Sequence, residues 1–196
     1  MGVASSKDEK DLVDAIERAG AQADYVVLMM HWGGQGGHLI TPCQRELAPV
    51  IAEAGCDVVV GMHPHVLQGI EYFGKAPVFY SIGNFAFPSG RTDARESIVV
   101  HLTFRAQGFE SAEIVPVEIS SAGAPHIATG SEGQKILSHL DGFCRMFNTQ
   151  VEGGNLAHGP MRAKLVYDRL KPSKRRGQKA SRRRHGPGGN RSWEGK

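Results

Sequence analysis

Apolar residues follow one another almost without interruption in three stretches of the chain. They lie at 24–30 (DYVVLMM), 57–62 (DVVVGM) and 77–85 (PVFYSIGNF), and each is rich in β-branched or aromatic residues. Runs of this length and composition predict strands of a sheet. The absence of alternating polar positions in the first run further predicts a strand that is covered on both faces.

A helix is predicted between the first two strands, where apolar residues recur every three to four positions. It covers residues 44–54 and ends at Gly55, a residue suited to helix termination. An earlier helix is predicted from the capping box at Ser6–Glu9 to Gly20. Because strand, helix and strand follow with short connections, we expect a parallel βαβ unit, with ligand-binding loops at the carboxyl ends of its strands.

Beyond Gly90 the apolar positions alternate with polar ones, which is typical of antiparallel strands with one face in solvent. Residues 97–105 (SIVVHLTFR) and 112–120 (AEIVPVEIS), joined by a turn at 106–108, predict a hairpin. Residues 132–148 show helical spacing. The chain is therefore predicted to be of the α/β class.

The charge of the chain is divided unevenly. Residues 171–196 hold ten Lys or Arg and one acid, a net charge of +9, whereas the other 170 residues carry 13 basic and 19 acidic side chains, a net charge of −6. With almost no apolar residues, the basic segment is predicted to be disordered. We expect one domain over residues 1–150, a poorly defined extension over 151–170 and this tail. The tail is interpreted as a solvated extension; binding of nucleic acid or another anionic polymer is the alternative.

Composition argues against two classes of protein. No stretch approaches the roughly 18–20 continuous apolar residues of a membrane helix. The three cysteines, Cys43, Cys56 and Cys144, are odd in number and widely spaced, which fits neither a disulfide framework nor a CxxC metal site. They are interpreted as ordinary thiols.

Histidines follow the first two predicted strands directly. His31 ends the first, and His63 and His65 follow the second, with Pro64 between them. Imidazole is a common ligand of Zn, Fe and Mn, and residues two apart on an extended segment point the same way. The sequence therefore supports a shared metal or phosphate site and, equally, histidines that only bond to backbone carbonyls or lie at the surface.

The residues beside these histidines also have two interpretations. Asn84 follows Gly83 after the third strand, where it is either a turn residue or a group that orients a substrate oxygen or a metal-bound water. Trp32 is better explained as part of the core than as a platform for substrate. The remaining six histidines are interpreted as structural or surface residues.

The motifs taken together resemble the CapA family of poly-γ-glutamate capsule biosynthesis proteins. They are HWG at 31–33 followed by Pro42 and Gln44, then GMHPHVLQGIE at 61–71 and YSIGNFAF at 80–87. The resemblance covers roughly residues 8–150. It implies a metallophosphatase-like (calcineurin-like) α-β-β-α sandwich of which this chain is the carboxyl-terminal portion, with the N-terminal strands missing.

The resemblance also implies roles for particular residues. His31, His63 and His65 would be metal ligands for a divalent Mn, Fe or Zn ion, two such ions being present in the complete family site. Asn84 and Glu71 would serve in catalysis. Substrate contacts would come from Trp32, Tyr80 and Ser81.

The chain departs from the family pattern in its acidic ligands. The Gly-Asp, Asn-Leu-Glu and Asn-Asn-His segments of the family do not occur, and residues 33–37 (GGQGG) stand where an acidic residue is expected. We therefore expect a truncated protein with weak or no activity. Expected partners are the missing N-terminal half, the capsule-synthesis machinery or a second copy, and an anionic polymer bound by the tail. Members of the family are usually membrane-anchored and outward-facing.

Overall fold

Two β-sheets and three helices make up the fold in the computed structural model, which describes residues 9–158. The predicted serine cap of the first helix and the predicted basic tail lie outside these residues. The helices are α1 (Glu9–Gly20), α2 (Pro42–Glu53) and α3 (Gly130–Cys144), and the strands are β1 (Val27–His31), β2 (Val58–Met62), β3 (Ile70–Phe73), β4 (Ala76–Phe79), β5 (Glu96–Arg105), β6 (Gly108–Ile119), β7 (Pro125–Ile127), β8 (Thr149–Glu152) and β9 (Asn155–His158).

The first sheet has the strand order β1-β2-β4-β3. β1, β2 and β4 are parallel, and β3 runs antiparallel to β4. The predicted βαβ unit is therefore present, with α2 as its crossover. The helix begins with a capping box between Thr41 and Gln44 and has Pro42 in its first turn, a combination that fixes its start.

The second sheet is antiparallel throughout and is built on the predicted hairpin, now β5 and β6. β7 pairs with β6, and the β8–β9 hairpin joins β6 through Glu113 and Asn155, so the sheet continues past residue 150. The α/β class is confirmed. The sequence pattern missed four strands of three or four residues each, β3, β7, β8 and β9, because periodicity cannot be recognised over so few positions.

Each face of the first sheet belongs to a different apolar core. One core joins α1 and α2 to the sheet and includes Leu12, Ile51, Val59 and Val78. The other joins the opposite face to the second sheet and α3, through residues such as Val58, Phe79, Ile114 and Leu140. Alternation of side chains along β2 and β4 explains this division, because neighbouring residues of a strand point to opposite faces.

Two predictions about the strands are wrong. β1 was expected to be covered on both faces, yet Val27 is 43% exposed and Met29 66%, because this strand lies at the end of the described sheet and the second sheet does not cover it. The third predicted strand ends at Phe79 rather than at residue 85. After Phe79 the chain makes one isolated bridge, between Ile82 and Leu67, and then turns.

Gly61 allows an unusually close approach at the end of β2. A side-chain Cβ placed there would lie 2.1 Å from the carbonyl oxygen of Tyr80 and 2.4 Å from Nε1 of Trp32. Trp32 Nε1 donates a hydrogen bond of 2.9 Å to that same carbonyl. Only a glycine leaves room for this bond, which crosses β2 and ties the carboxyl ends of β1 and β4 together.

The cysteines are free thiols, as the composition predicts. Burial raises the pKa of Cys56 to about 11 and that of Cys144 to about 12, so both remain protonated thiols at neutral pH. Cys43 is exposed, and all three are free. Among residues 9–158, no helix combines the length and apolarity needed to cross a membrane.

We expect Gly61→Ala to destabilise the protein, because the new methyl group meets backbone and an indole ring that cannot move aside independently. Overpacking of this kind costs about 1–3 kcal/mol, which chemical denaturation would measure as a lowered midpoint. The control is Gly142→Ala in α3, where a Cβ meets nothing within 4 Å. That variant should gain roughly 0.5–1 kcal/mol from helix propensity. Equal stability of the two variants would contradict the close-approach argument.

Candidate metal centre

Three histidine rings meet where the parallel strands of the first sheet end. His31 is the last residue of β1 and His63 follows β2 directly. The ring centroids of His31 and His63 are 4.5 Å apart, and those of His63 and His65 are 6.0 Å apart. His63 is thus the middle member of the cluster, and the predicted convergence of the three residues on one rim is observed.

The backbone of the HPH segment is held in a conformation that side-chain-bearing residues rarely adopt. His63 has φ of 101° and His65 has φ of 61°; Asn148 is the one other non-glycine residue among residues 9–158 with positive φ. Such conformations cost about 1–3 kcal/mol each and persist where the surroundings enforce them. Here Gly36 N donates a 2.7 Å hydrogen bond to the carbonyl of Pro64, between the two histidines.

Asn84 fixes the orientation of the His65 ring. Nδ1 of His65 lies 2.7 Å from Oδ1 of Asn84, and Nδ2 of Asn84 donates to the carbonyls of Ala94 at 2.9 Å and His65 at 3.2 Å. Since the amide nitrogen is used by two acceptors, Oδ1 must accept, and the proton of His65 is assigned to Nδ1. This tautomer leaves the lone pair of Nε2 available to a ligand, which is how second partners commonly set up metal-binding histidines.

Two buried glutamines hold the glycine-rich loop that follows His31. Gln44 Nε2 donates to Oε1 of Gln68 at 2.9 Å, and Gln68 Nε2 donates to the carbonyls of Gly37 at 2.8 Å and Leu39 at 3.2 Å. Both side chains are fully buried. Neither glutamine was predicted from the sequence to shape the site, although a glutamine inside an apolar segment is itself a signal, because it must find partners when buried.

The positively charged side chain of Arg91, which was not among the predicted site residues, lies beside the same loop. Arg91 donates to the carbonyl of Gly36 at 3.2 Å and pairs with Asp93 through Nε at 3.0 Å and Nη2 at 2.5 Å. The hydrogen bond and charge of Arg91 lower the pKa of Asp93. Arg91 is exposed, so its guanidinium can also meet an anion from solvent. Basic and acidic residues two positions apart are common in protein sequences, so this spacing alone did not predict the pair.

An exposed aromatic side chain lies against the rim. The ring of Phe87 lies 5.2 Å from that of His65, and Phe87 is 52% exposed; Phe85, two residues earlier, is 58% exposed. An exposed phenylalanine next to a cluster of histidines offers an apolar surface that a bound molecule can contact.

The surroundings of His63 favour its neutral imidazole. Desolvation, followed by the neighbouring His31 and His65, lowers the pKa of His63 below its usual value. Among residues 9–158, ion pairs between histidine and carboxylate involve other histidines, not His31, His63 or His65. Neutral imidazole is the form that binds metal ions.

Trp32, Tyr80 and Ser81, which were expected to contact substrate, lie in the interior behind the rim. Trp32 is 5% exposed and its ring stacks on that of Tyr80 at 5.8 Å between centroids. Ser81 is buried and donates to the carbonyl of Val66 at 2.7 Å. These three side chains thus stabilise the carboxyl ends of the strands from the interior of the protein.

Glu71 lies away from the histidines, in β3, on the face of the sheet that packs against α2. Its Oε2 accepts a 2.7 Å hydrogen bond from the hydroxyl of Tyr80. Burial raises the pKa of Glu71, against the opposing effects of this hydrogen bond and of the charge of Arg45. No contact joins Glu71 to His31, His63 or His65 within the described part of the chain.

The residues present fit one transition-metal ion better than two. Three imidazoles with open positions suit a Zn or Fe ion. A two-metal centre also needs carboxylates that compensate the charge of the ions. Within residues 9–158, the group of three potential ligands whose donor atoms all lie within 4.8 Å of one another is Glu118, His126 and Glu132, and the three histidines of the rim do not meet this distance.

The chain is similar to proteins of bacterial capsule synthesis. A family model described as bacterial capsule synthesis protein PGA_cap matches residues 2–89. The PGA biosynthesis protein CapA of Bacillus subtilis is 34% identical over 149 residues, 76% of this chain and 39% of that protein. The capsule biosynthesis protein CapA of Bacillus anthracis is 31% identical over 131 residues, 67% of this chain and 32% of that protein. A probable polyglutamine synthesis accessory protein of Mycobacterium tuberculosis is 30% identical over 84 residues. The chain thus spans less than half the length of each of these relatives.

Comparison of His63→Gly with His63→Ala isolates the backbone strain, since both substitutions remove the imidazole. Glycine adopts positive φ without steric cost, so we expect the glycine variant to be more stable than the alanine variant by about 1–2 kcal/mol in denaturant unfolding. The same pair at His101, in a strand, should show the opposite order. An alanine variant as stable as the glycine variant at position 63 would show that the segment is not strained.

Glu71→Gln should change how stability depends on pH. Because the folded-state pKa of Glu71 is raised, its contribution to stability is fully present below the unfolded value of 4.5 and is lost as pH rises through the folded value. Glutamine still accepts from Tyr80 and carries no charge. We therefore expect the variant to gain stability over the wild type as pH rises from 4 to 7, measured as Tm at each pH. A constant difference in Tm across this range would contradict the shift.

Proposed function

We infer that this chain belongs, over the matched part of its length, to the CapA family of bacterial capsule synthesis proteins, and we propose that it takes part in poly-γ-glutamate capsule synthesis through a divalent metal ion held by His31, His63 and His65. The observation that carries the proposal is the strained HPH segment. Two histidines stand at positions of positive φ, and backbone strain of this kind is concentrated at functional sites.

The proposed ion is Mn, Fe or Zn, bound by the imidazoles at the ends of β1 and β2. When bound, it supplies Lewis-acid polarisation of a phosphoryl or acyl oxygen, as in metal-dependent phosphoesterases. The division into α1 and α2, the first sheet, and the second sheet with α3 supports a metallophosphatase-like sandwich. We propose this fold as the framework of the site.

The neighbouring side chains have positioning and binding roles in this proposal. Asn84 orients His65 by accepting a hydrogen bond from Nδ1 of that histidine. Gln44 and Gln68 shape the loop after His31. Arg91, held against that loop by Gly36, offers a guanidinium to an anionic group of the substrate. Phe85 and Phe87 contact its apolar portion.

The buried residues are assigned to support of the strands rather than to contact with substrate. Trp32 and Tyr80 lock the ends of β1 and β4, and Ser81 fastens the following turn. We assign Glu71 to the orientation of Tyr80, its hydrogen-bond partner, in place of a catalytic role.

We propose that turnover by the described residues alone is weak or absent, because they bring three imidazoles and no carboxylate to the rim. The second candidate is therefore a non-catalytic component of a capsule-synthesis assembly. The uncovered face of β1, with Val27 and Met29 exposed, supports a partner there: a second copy, the machinery, or the segment that supplies the acidic ligands in the family. The basic segment at 171–196 would then hold an anionic polymer.

Elemental analysis of the purified chain tests the metal site. We expect Mn, Fe or Zn in the wild type and the loss of about one equivalent per chain in His63→Ala/His65→Ala, because two of three ligands of the rim are removed. Phosphoesterase activity toward a generic aryl phosphate, measured after addition of each metal, shows whether the site also turns over substrate.

The matched control is His101→Ala, which removes an exposed histidine of the second sheet and should keep the metal. Equal metal content in the control and in the double variant would overturn the site. Absence of metal from the wild type, with none taken up on addition, would leave the non-catalytic function as the surviving proposal.

A further inference from the structure

Three metal-ligating side chains meet on the second sheet, away from the histidine rim. They are Glu118 in β6, His126 in β7 and Glu132 in the first turn of α3. One ligand atom from each lies within 4.8 Å of the other two. From sequence alone, His126 is interpreted as a structural or surface residue. The three positions belong to different elements, and nothing in their spacing connects them.

The backbone sets these residues face to face. Glu118 and His126 are direct partners in the antiparallel register of β6 and β7, so their side chains leave the same face of the sheet. Nε2 of His126 lies 3.9 Å from Oε2 of Glu118 and 3.4 Å from Oε2 of Glu132. Donor atoms bound at about 2.1 Å to a tetrahedral ion lie roughly 3.4 Å apart, so only small side-chain rotations separate this geometry from a binding site.

The start of α3 is fixed against the same strands. Ala128 N donates to the carbonyl of Pro116 at 2.9 Å. Gly133 packs so closely that a Cβ there would lie 2.6 Å from the carbonyl oxygen of Ala128. Glu132 is therefore presented by a helix turn that cannot move far from β6 and β7, and the ligand set is largely preorganised.

Charge is unbalanced within this cluster. Glu118 and Glu132 both lie beside Nε2 of His126, and no Lys or Arg among residues 9–158 pairs with either carboxylate. Lys135, one turn along α3, pairs instead with Glu96. A divalent ion would compensate both carboxylates at once, whereas a protonated imidazole compensates only one.

We propose that Glu118, His126 and Glu132 bind a Zn²⁺ ion that fastens β7 and the start of α3 to β6. One nitrogen and two carboxylate oxygens are typical zinc ligands, and the exposed side leaves the remaining position to water. This site is independent of the histidine rim and of the proposed function. Its effect is to stabilise the second sheet at the strand next to α3.

Calorimetric titration of the full chain with Zn²⁺ tests the proposal, using His126→Ala and Glu132→Gln. Besides any zinc bound at the histidine rim, we expect one zinc equivalent whose affinity falls at least about tenfold in each variant. Zn²⁺ should also raise the Tm of the wild type and raise it less in the variants. Both side chains are about half exposed, so the substitutions should leave the fold intact, which circular dichroism verifies.

The matched control is His101→Ala, because His101 and Glu113 form the same cross-strand pair on this sheet without a third ligand. It should bind this zinc equivalent unchanged, as should His63→Ala/His65→Ala, which lacks the rim. Undiminished affinity in His126→Ala would overturn the proposal. So would a wild-type chain whose zinc binding is lost entirely in the rim variant.

Discussion

The hydrogen bond from Trp32 Nε1 to the carbonyl of Tyr80 holds the candidate site together. It passes over Gly61 and joins the end of β1 to the end of β4, with β2 between them. All three strands therefore end in a fixed relation, and the residues that follow them begin from fixed points. His31 lies one residue before Trp32, and Asn84 lies four residues after Tyr80.

Hydrogen bonds between buried polar groups fix the loops that lead from these strand ends to the rim. The buried Gln44–Gln68 pair holds the loop after β1, and Asn84 links His65 to the carbonyl of Ala94. Each of these groups would be costly to leave unpaired, so the loops have few alternative conformations. The strain at His63 and His65 persists because this surrounding network is rigid.

The two sheets contribute different things to the molecule. The first sheet places the candidate metal ligands at the carboxyl ends of its parallel strands, where crossover folds have their ligand-binding residues. The antiparallel sheet covers one face of it, together with α3, yet leaves β1 outside, which is why Val27 and Met29 are exposed. On the antiparallel sheet, cross-strand register brings two histidines beside carboxylates, His101 beside Glu113 and His126 beside Glu118.

The sequence by itself determined the α/β class, the βαβ unit and the arrival of three histidines at one rim, because long apolar runs and the residues that follow them are local features. It also contains the motifs that resemble those of the CapA family. Only the tertiary structure decided that Glu71 faces α2, that Tyr80 and Ser81 are buried, and that Arg91 and Asp93 lie beside the loop at Gly36. Strand parity, register and contacts between distant segments decide these placements, and none of them is written in the spacing of residues along one stretch of chain.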